Sequence, residues 1–203
     1  MLFRSDDPEL STFLEGQRTD RRRRLAEMVE RLERLGVAID RRWLDERATR
    51  VGGRAVGRPM LAQALVRGGH VATMSEAFER YLGEGKPAFI TRQGATPAEV
   101  IELVRRAGGL TSLAHPGKLK RDDIIPALVE AGLPAIEVHH PDHDDVDVGR
   151  YRQLAAMYGL LVTGGSDYHG PGSGRTAGLG KVTLGAADFE KLAARGGWLP
   201  RPS

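Results

Sequence analysis

The sequence predicts an α/β protein with a largely helical first half. Two observations carry that reading. Residues 8 to about 107 show apolar positions at three- and four-residue steps broken by glycine, a helical pattern. From residue 110 onward, short apolar runs alternate with helical segments, which implies parallel strands joined by crossovers.

In the first half, Leu25, Met28, Leu32 and Leu35 form one stripe, closed by Gly36. A second helix is expected over "RRWLDERAT", and a third from Pro59, with Leu61, Ala64 and Leu65 on one face and Gly68-Gly69 as its stop. Ser75 is read as the cap of a fourth helix carrying Ala77, Phe78, Tyr81 and Leu82. Thr96, Pro97 and Glu99 supply an N-cap, a first-turn proline and an early acid for a helix ending at Arg106. In the second half, strands are expected over "LTSLAH" (110–115), "AIEVHH" (135–140) and "LLVTGGSD" (160–167), with "GKVTL" as a fourth. The intervening helices are "DDIIPALVEAG" and "VGRYRQLAAMYG", and "AADFEKLAARGG" closes the chain.

Composition narrows the chemistry. The chain is 40% apolar and 28% charged, ordinary for a soluble globular protein. It has no cysteine, so disulfides, thiolate metal sites and a cysteine nucleophile are excluded. Any metal must be held by nitrogen and oxygen ligands. The first ten residues hold no apolar segment of signal-peptide length, and no run approaches the roughly 18 apolar residues that span a bilayer. The expectation is a cytoplasmic protein without membrane contact. The formal charge is only +3, yet arginines crowd the stretch from Arg18 to Arg50. This stretch reads either as a phosphate-binding surface or as a solvated helix face paired with Glu27, Glu30 and Glu33.

Each expected strand ends in metal-competent side chains: His115 on the first, Glu137, His139 and His140 on the second, Asp167 and His169 on the third. Ligands gather at the C-terminal ends of strands in parallel α/β architectures. If the chain stays extended through "SDYHG", Asp167 and His169 share a face and point at one spot. Such a pair is either a metal site, with His115 as a further ligand, or a plain hydrogen-bonded couple. "GPGSGR" fails the spacing of a dinucleotide or P-loop motif, and Ser166 lacks the frame of a hydrolase nucleophile.

"SLAHPG" at 112–117, "IEVHHPDH" and "VTGGSDYHG" at 162–170 resemble motifs of the PHP (polymerase and histidinol phosphatase) phosphoesterases. "RRLAEMVERLERLG", "VGRPMLAQALVRGGHV" and "AFERYLGEGKPAF" resemble the helical insertion of one branch, which hydrolyses 3',5'-nucleoside bisphosphates and trims short RNA from the 5' end. The resemblance implies a distorted (β/α)7 barrel, with residues 1–20 and 96–203 as part of the barrel and 21–95 as the insertion. It implies a divalent metal cluster of Mn, Fe or Zn, with His115, Asp167 and His169 as ligands. Arg58, Arg92, Lys118 and His139 are the expected contacts to a nucleotide or short RNA substrate.

Two departures shape the expectation. The family's His-x-His motif and the ligands that follow it have no counterpart before His115, where the only histidine is His70. Met60 stands where relatives carry histidine. The reading is therefore an impaired, incomplete phosphoesterase whose missing N-terminal half is a candidate partner. The competing reading is a non-catalytic RNA-binding or partner-dependent remnant.

Overall fold

The computed structural model of the chain describes residues 7–50, 57–168 and 178–197. It divides into two compact units, one of residues 11–94 and one of residues 1–10 with 95–203. Helix α1 spans Pro8–Arg34, across the unit limit after Leu10 and across residue 20.

The helical unit holds most of α1, then α2 (Arg41–Arg50), α3 (Arg58–Arg67) and α4 (Met74–Ala77), which continues as a π-helical turn over Phe78–Leu82. Met28, Val29 and Leu32 of α1, Leu44 of α2 and Met60, Leu61 and Leu65 of α3 share one buried core. The expected stripe is present except at its end, where Leu35 is exposed. Met60 is a core residue, so no polar side chain stands at that position in the helical unit. The cap of α4 is Thr73 rather than Ser75: the Thr73 hydroxyl accepts from the Glu76 N–H at 3.1 Å. Ser75 lies one position inside the helix and donates to Glu79.

The other unit opens with α5 (Pro97–Arg106). Its N-terminus is a reciprocal capping box: the Thr96 hydroxyl accepts from Glu99 N–H, and the Glu99 carboxylate accepts from Thr96 N–H. Then come β1 (Ser112–Leu113), the short α6 (Pro116–Leu119), α7 (Ile125–Glu130), β2 (Ala135–His139), α8 (Asp145–Tyr158), β3 (Leu161–Gly164) and α9 (Ala186–Gly196). The three strands are parallel in the order β1-β2-β3.

The sheet has two unlike faces. Leu113, Ile136, Val138 and Val162 lie in register or at two-residue steps and pack with Ile125, Tyr151 and Ala155 from α7 and α8. Ser112, Glu137 and Thr163 occupy the opposite face, where Ser112 Oγ and Thr163 Oγ1 approach to 2.8 Å. A parallel sheet is normally apolar on both faces; this one carries Ser112, Glu137 and Thr163 on its second face.

All three strands are shorter than expected, β2 by one residue and the other two by more. β1 stops because His115 adopts φ 34, a left-handed conformation that leaves the ladder. β3 stops at Gly164, and Asp167 adopts φ 43, so the chain is not extended there. "GKVTL" forms no strand: Lys181 N–H turns back to the Gly178 carbonyl, and Gly180 sits at φ 78. Among the described residues no helix is long and apolar enough to cross a membrane.

Ile136 is fully buried on the central strand, so Ile136→Ala should destabilise the protein by about 2–5 kcal/mol. Val146→Ala, at a side chain 76% exposed, should stay within about 0.5 kcal/mol. Urea denaturation midpoints compare the two.

Candidate metal and phosphoester site

The C-terminal ends of the three strands meet through side chains. From β2, Glu137 reaches across to β1, and its Oε2 accepts the His115 N–H at 2.6 Å. That bond helps hold His115 in its left-handed backbone, a conformation that costs a non-glycine residue about 1–2 kcal/mol. Just past β2, His140 is 3% exposed, and its ring lies 5.6 Å from that of His115. His140 Nε2 lies 3.3 Å from Asp167 Oδ2, beyond the end of β3. The Asp142 N–H donates to His140 Nδ1 at 3.0 Å, which leaves the ring proton on Nε2, facing Asp167. Burial pushes the His140 ring below its ordinary pKa, against the opposing pull of Glu137 and Asp142. The imidazole is therefore neutral near pH 7, the form that binds metals.

His143 completes a row of rings, 5.3 Å from His140 and 5.2 Å from Tyr151. Its role is structural. Nδ1–H donates to the Val138 carbonyl at 2.8 Å, and Nε2 accepts from Gly117 N–H at 3.2 Å. Both nitrogens are occupied, so the ring fastens α6 to β2. The glycine of "AHPG" follows from this packing: a Cβ at Gly117 would lie 2.8 Å from the His143 ring.

Of the residues expected at the site, His115 and Asp167 do lie at one rim, linked through His140. His169 lies outside the described residues. His139, expected near substrate, is not brought to this rim. A register shift between Glu137 and His139 re-aims it, so that its Nε2 accepts from Arg152 at 3.0 Å, and Arg152 is paired with Asp188 of α9. Burial and the Arg152 charge lower the His139 pKa. Gly164 makes the shift possible, since a Cβ there would come within 2.5 Å of His139. Lys118 follows His115 on α6 and is ion-paired with Asp142. Arg58 and Arg92 belong to the helical unit, where both line one cavity.

His140 is the residue that sequence reasoning left out of the site. The doubled histidine of "EVHHPDH" was the available signal, but strand alternation alone does not reveal which of the two turns toward Asp167. The donor types at the rim, imidazole and carboxylate without thiolate, suit a divalent cation. Their number does not: among the described residues no three histidine or acidic side chains converge as a cage.

No family model matches the chain. It is 32% identical over 180 residues to the 3',5'-nucleoside bisphosphate phosphatase of Chromobacterium violaceum, covering 83% of this chain and 60% of that protein. It is 33% identical over 178 residues to the 5'-3' exoribonuclease Rnm of Salmonella typhimurium, covering 81% of this chain and 57% of the relative. The chain thus spans less than two thirds of the length of these curated relatives. A solved structure described as a metal-dependent phosphoesterase from Bifidobacterium adolescentis is similar with TM-score 0.80 and 30% identity, covering 95% of this chain and 68% of that one. Fold and relatives together define the class as that of the metal-dependent phosphoesterases. Within it, the chain belongs to the PHP family.

The packing at Gly117 makes a prediction. Gly117→Ala should cost about 1–3 kcal/mol through overpacking against His143. Gly165→Ala, where an added Cβ meets nothing within 4 Å, should change stability by no more than about 0.5 kcal/mol. Chemical denaturation of both variants checks the contrast.

Proposed function

We propose that the chain carries part of a divalent-metal phosphoesterase centre acting on phosphate esters of nucleotides or short oligoribonucleotides. The observation that carries the reading is the meeting of His115, His140 and Asp167 at the C-terminal ends of three parallel strands. It is supported by relatives named as a nucleoside bisphosphate phosphatase and a 5'-3' exoribonuclease. On this reading the three strands belong to a distorted (β/α)7 barrel, and residues 21–95 are its helical insertion.

His115, Asp167 and His169 are the proposed ligands of a Mn, Fe or Zn ion, which when bound activates water and offsets charge on the phosphoryl oxygens. Glu137 positions the His115 backbone, and the Asp142 N–H sets which nitrogen of His140 carries the proton. Lys118 places positive charge at the rim, shared with Asp142 in the present arrangement. Arg58 and Arg92 are proposed to contact substrate phosphate. A catalytic centre needs more ligand groups than the described residues bring together, so turnover by the isolated chain should be weak.

Elemental analysis of purified protein tests the proposal. Near-stoichiometric Mn, Fe or Zn is expected, with most of it lost in the His115→Ala, Asp167→Ala double variant. Removing a ligand should cost at least about 10- to 100-fold in metal affinity or activity. Phosphate release from adenosine 3',5'-bisphosphate in the presence of Mn is the functional readout. Protein that retains no metal and releases no phosphate would defeat the reading.

A further inference from the structure

Helix α6, four residues long, carries His115 at its N-cap and Lys118 in its body. Both of its ends are left-handed, His115 before it at φ 34 and Lys120 after it at φ 51. Such backbone is unfavourable for residues other than glycine. A single turn closes few bonds of its own to offset that: Lys118 N–H reaches the His115 carbonyl at 3.0 Å, and Lys120 N–H reaches the Pro116 carbonyl at 3.1 Å. The first-turn donors of a helix have no partner inside it. Pro116 has no N–H to satisfy, which leaves that of Gly117.

Three groups from β2 and the segment after it supply what α6 lacks. The Glu137 carboxylate accepts His115 N–H, the Asp142 carboxylate pairs with Lys118, and His143 Nε2 accepts Gly117 N–H at 3.2 Å. They are not equivalent. The Lys118–Asp142 pair is about half exposed, and such pairs hold geometry weakly. His143 is buried, and its place is set from several sides. Nδ1–H donates to the Val138 carbonyl at 2.8 Å, and the ring lies 5.3 Å from His140 and 5.2 Å from Tyr151. Accepting a backbone N–H at Nε2 requires the lone pair there, so the proton stays on Nδ1. The contact is also closed sterically. A Cβ on Gly117 would meet the ring at 2.8 Å and Asp147 Oδ2 at 3.1 Å. Helix α6 thus lies directly against a ring that the core already fixes.

We propose that His143 is the positioning residue for His115: by accepting the Gly117 N–H, its neutral ring holds α6 so that the His115 imidazole stays at the rim, 5.6 Å from that of His140. It acts through the backbone of α6. Groups that hold a metal ligand from behind tune affinity, and losing one typically costs about 10- to 100-fold. That His115 is a metal ligand rests on the phosphoesterase reading; the hold on its backbone does not. Amide side chains separate the two bonds of the ring. Asparagine reaches as far as Nδ1 and can donate to Val138 only. Glutamine reaches as far as Nε2 and can accept from Gly117.

The test compares the full chain with its His143→Asn and His143→Gln variants in two measurements. Amide hydrogen exchange in EDTA, followed by NMR, reads the hold on α6 without metal. Titration with Mn reads metal affinity. His143→Asn should speed exchange at His115 and Gly117 by about tenfold or more while leaving Ile136, in the core, near its parent rate. It should also weaken Mn binding by about tenfold or more. His143→Gln should bring both measurements back toward the parent. A rise in exchange that includes Ile136 equally in both variants would mean lost stability rather than lost positioning and would overturn the proposal. A folded His143→Asn variant that exchanges like the parent would overturn it too, as would a His143→Gln variant no better than His143→Asn. Faster exchange with unchanged Mn affinity would also overturn it, since the held residue would not be a ligand. A parent chain that binds no Mn would remove the phosphoesterase reading instead. Faster exchange confined to His115 and Gly117 in His143→Asn, and reversed in His143→Gln, would then still assign His143 as their anchor.

Discussion

The central strand β2 ties its two neighbours together at the end where the backbone ladder has already stopped. Glu137 accepts the His115 N–H beyond β1, and His140 meets Asp167 beyond β3. Both His115 and Asp167 sit in left-handed backbone conformations that the ladder cannot support. Strain of this kind persists only where surrounding bonds over-determine it, and it clusters at functional sites. Here the compensating groups belong to one strand, so the geometry of the whole rim depends on how β2 is seated.

That seating comes from the opposite face of the sheet. Ile136 and Val138 are fully buried against α7 and α8, and Tyr151 closes the layer. His143 joins core to rim: it lies against Tyr151 and binds both the Val138 carbonyl and the Gly117 N–H. A glycine at 117 lets the His143 ring, and another at 164 lets the His139 backbone, come closer than a Cβ would allow. The glycines of "AHPG" and "VTGG" thus serve packing as well as chain reversal. Their value lies in holding imidazoles at chosen distances.

Arginine, abundant in both halves, divides into two populations. On the helix surfaces it is matched to glutamate at short helical spacing, which contributes little to stability and mainly keeps the surface solvated. Around the cavity of the helical unit it is matched to aromatic rings and amides instead. Sequence spacing separates these populations poorly, because Arg21, Arg22, Arg23 and Arg24 are consecutive and fan out to different sides of one helix.

Much of the architecture was legible in the chain because its causes are local. Helix periodicity, the Thr96–Glu99 box and the apolar runs near residues 112, 136 and 162 act over a few residues, and each produced the expected element. The strand-end placement of His115 and Asp167 followed from the same alternation. What escaped was set by contacts between segments far apart in sequence. The sequence placed His139 and His140 together at one strand end, but a register shift between β2 and β3 turned His139 to Arg152 and left His140 with Asp167. Met60 is core, in one buried cluster with residues of α1 and α2. The sequence by itself determined the α/β class, the order of elements and the family motifs. Only the tertiary structure decided which side chains meet, because a rim built from three strands depends on register and on bond lengths across 20 to 50 residues of intervening chain.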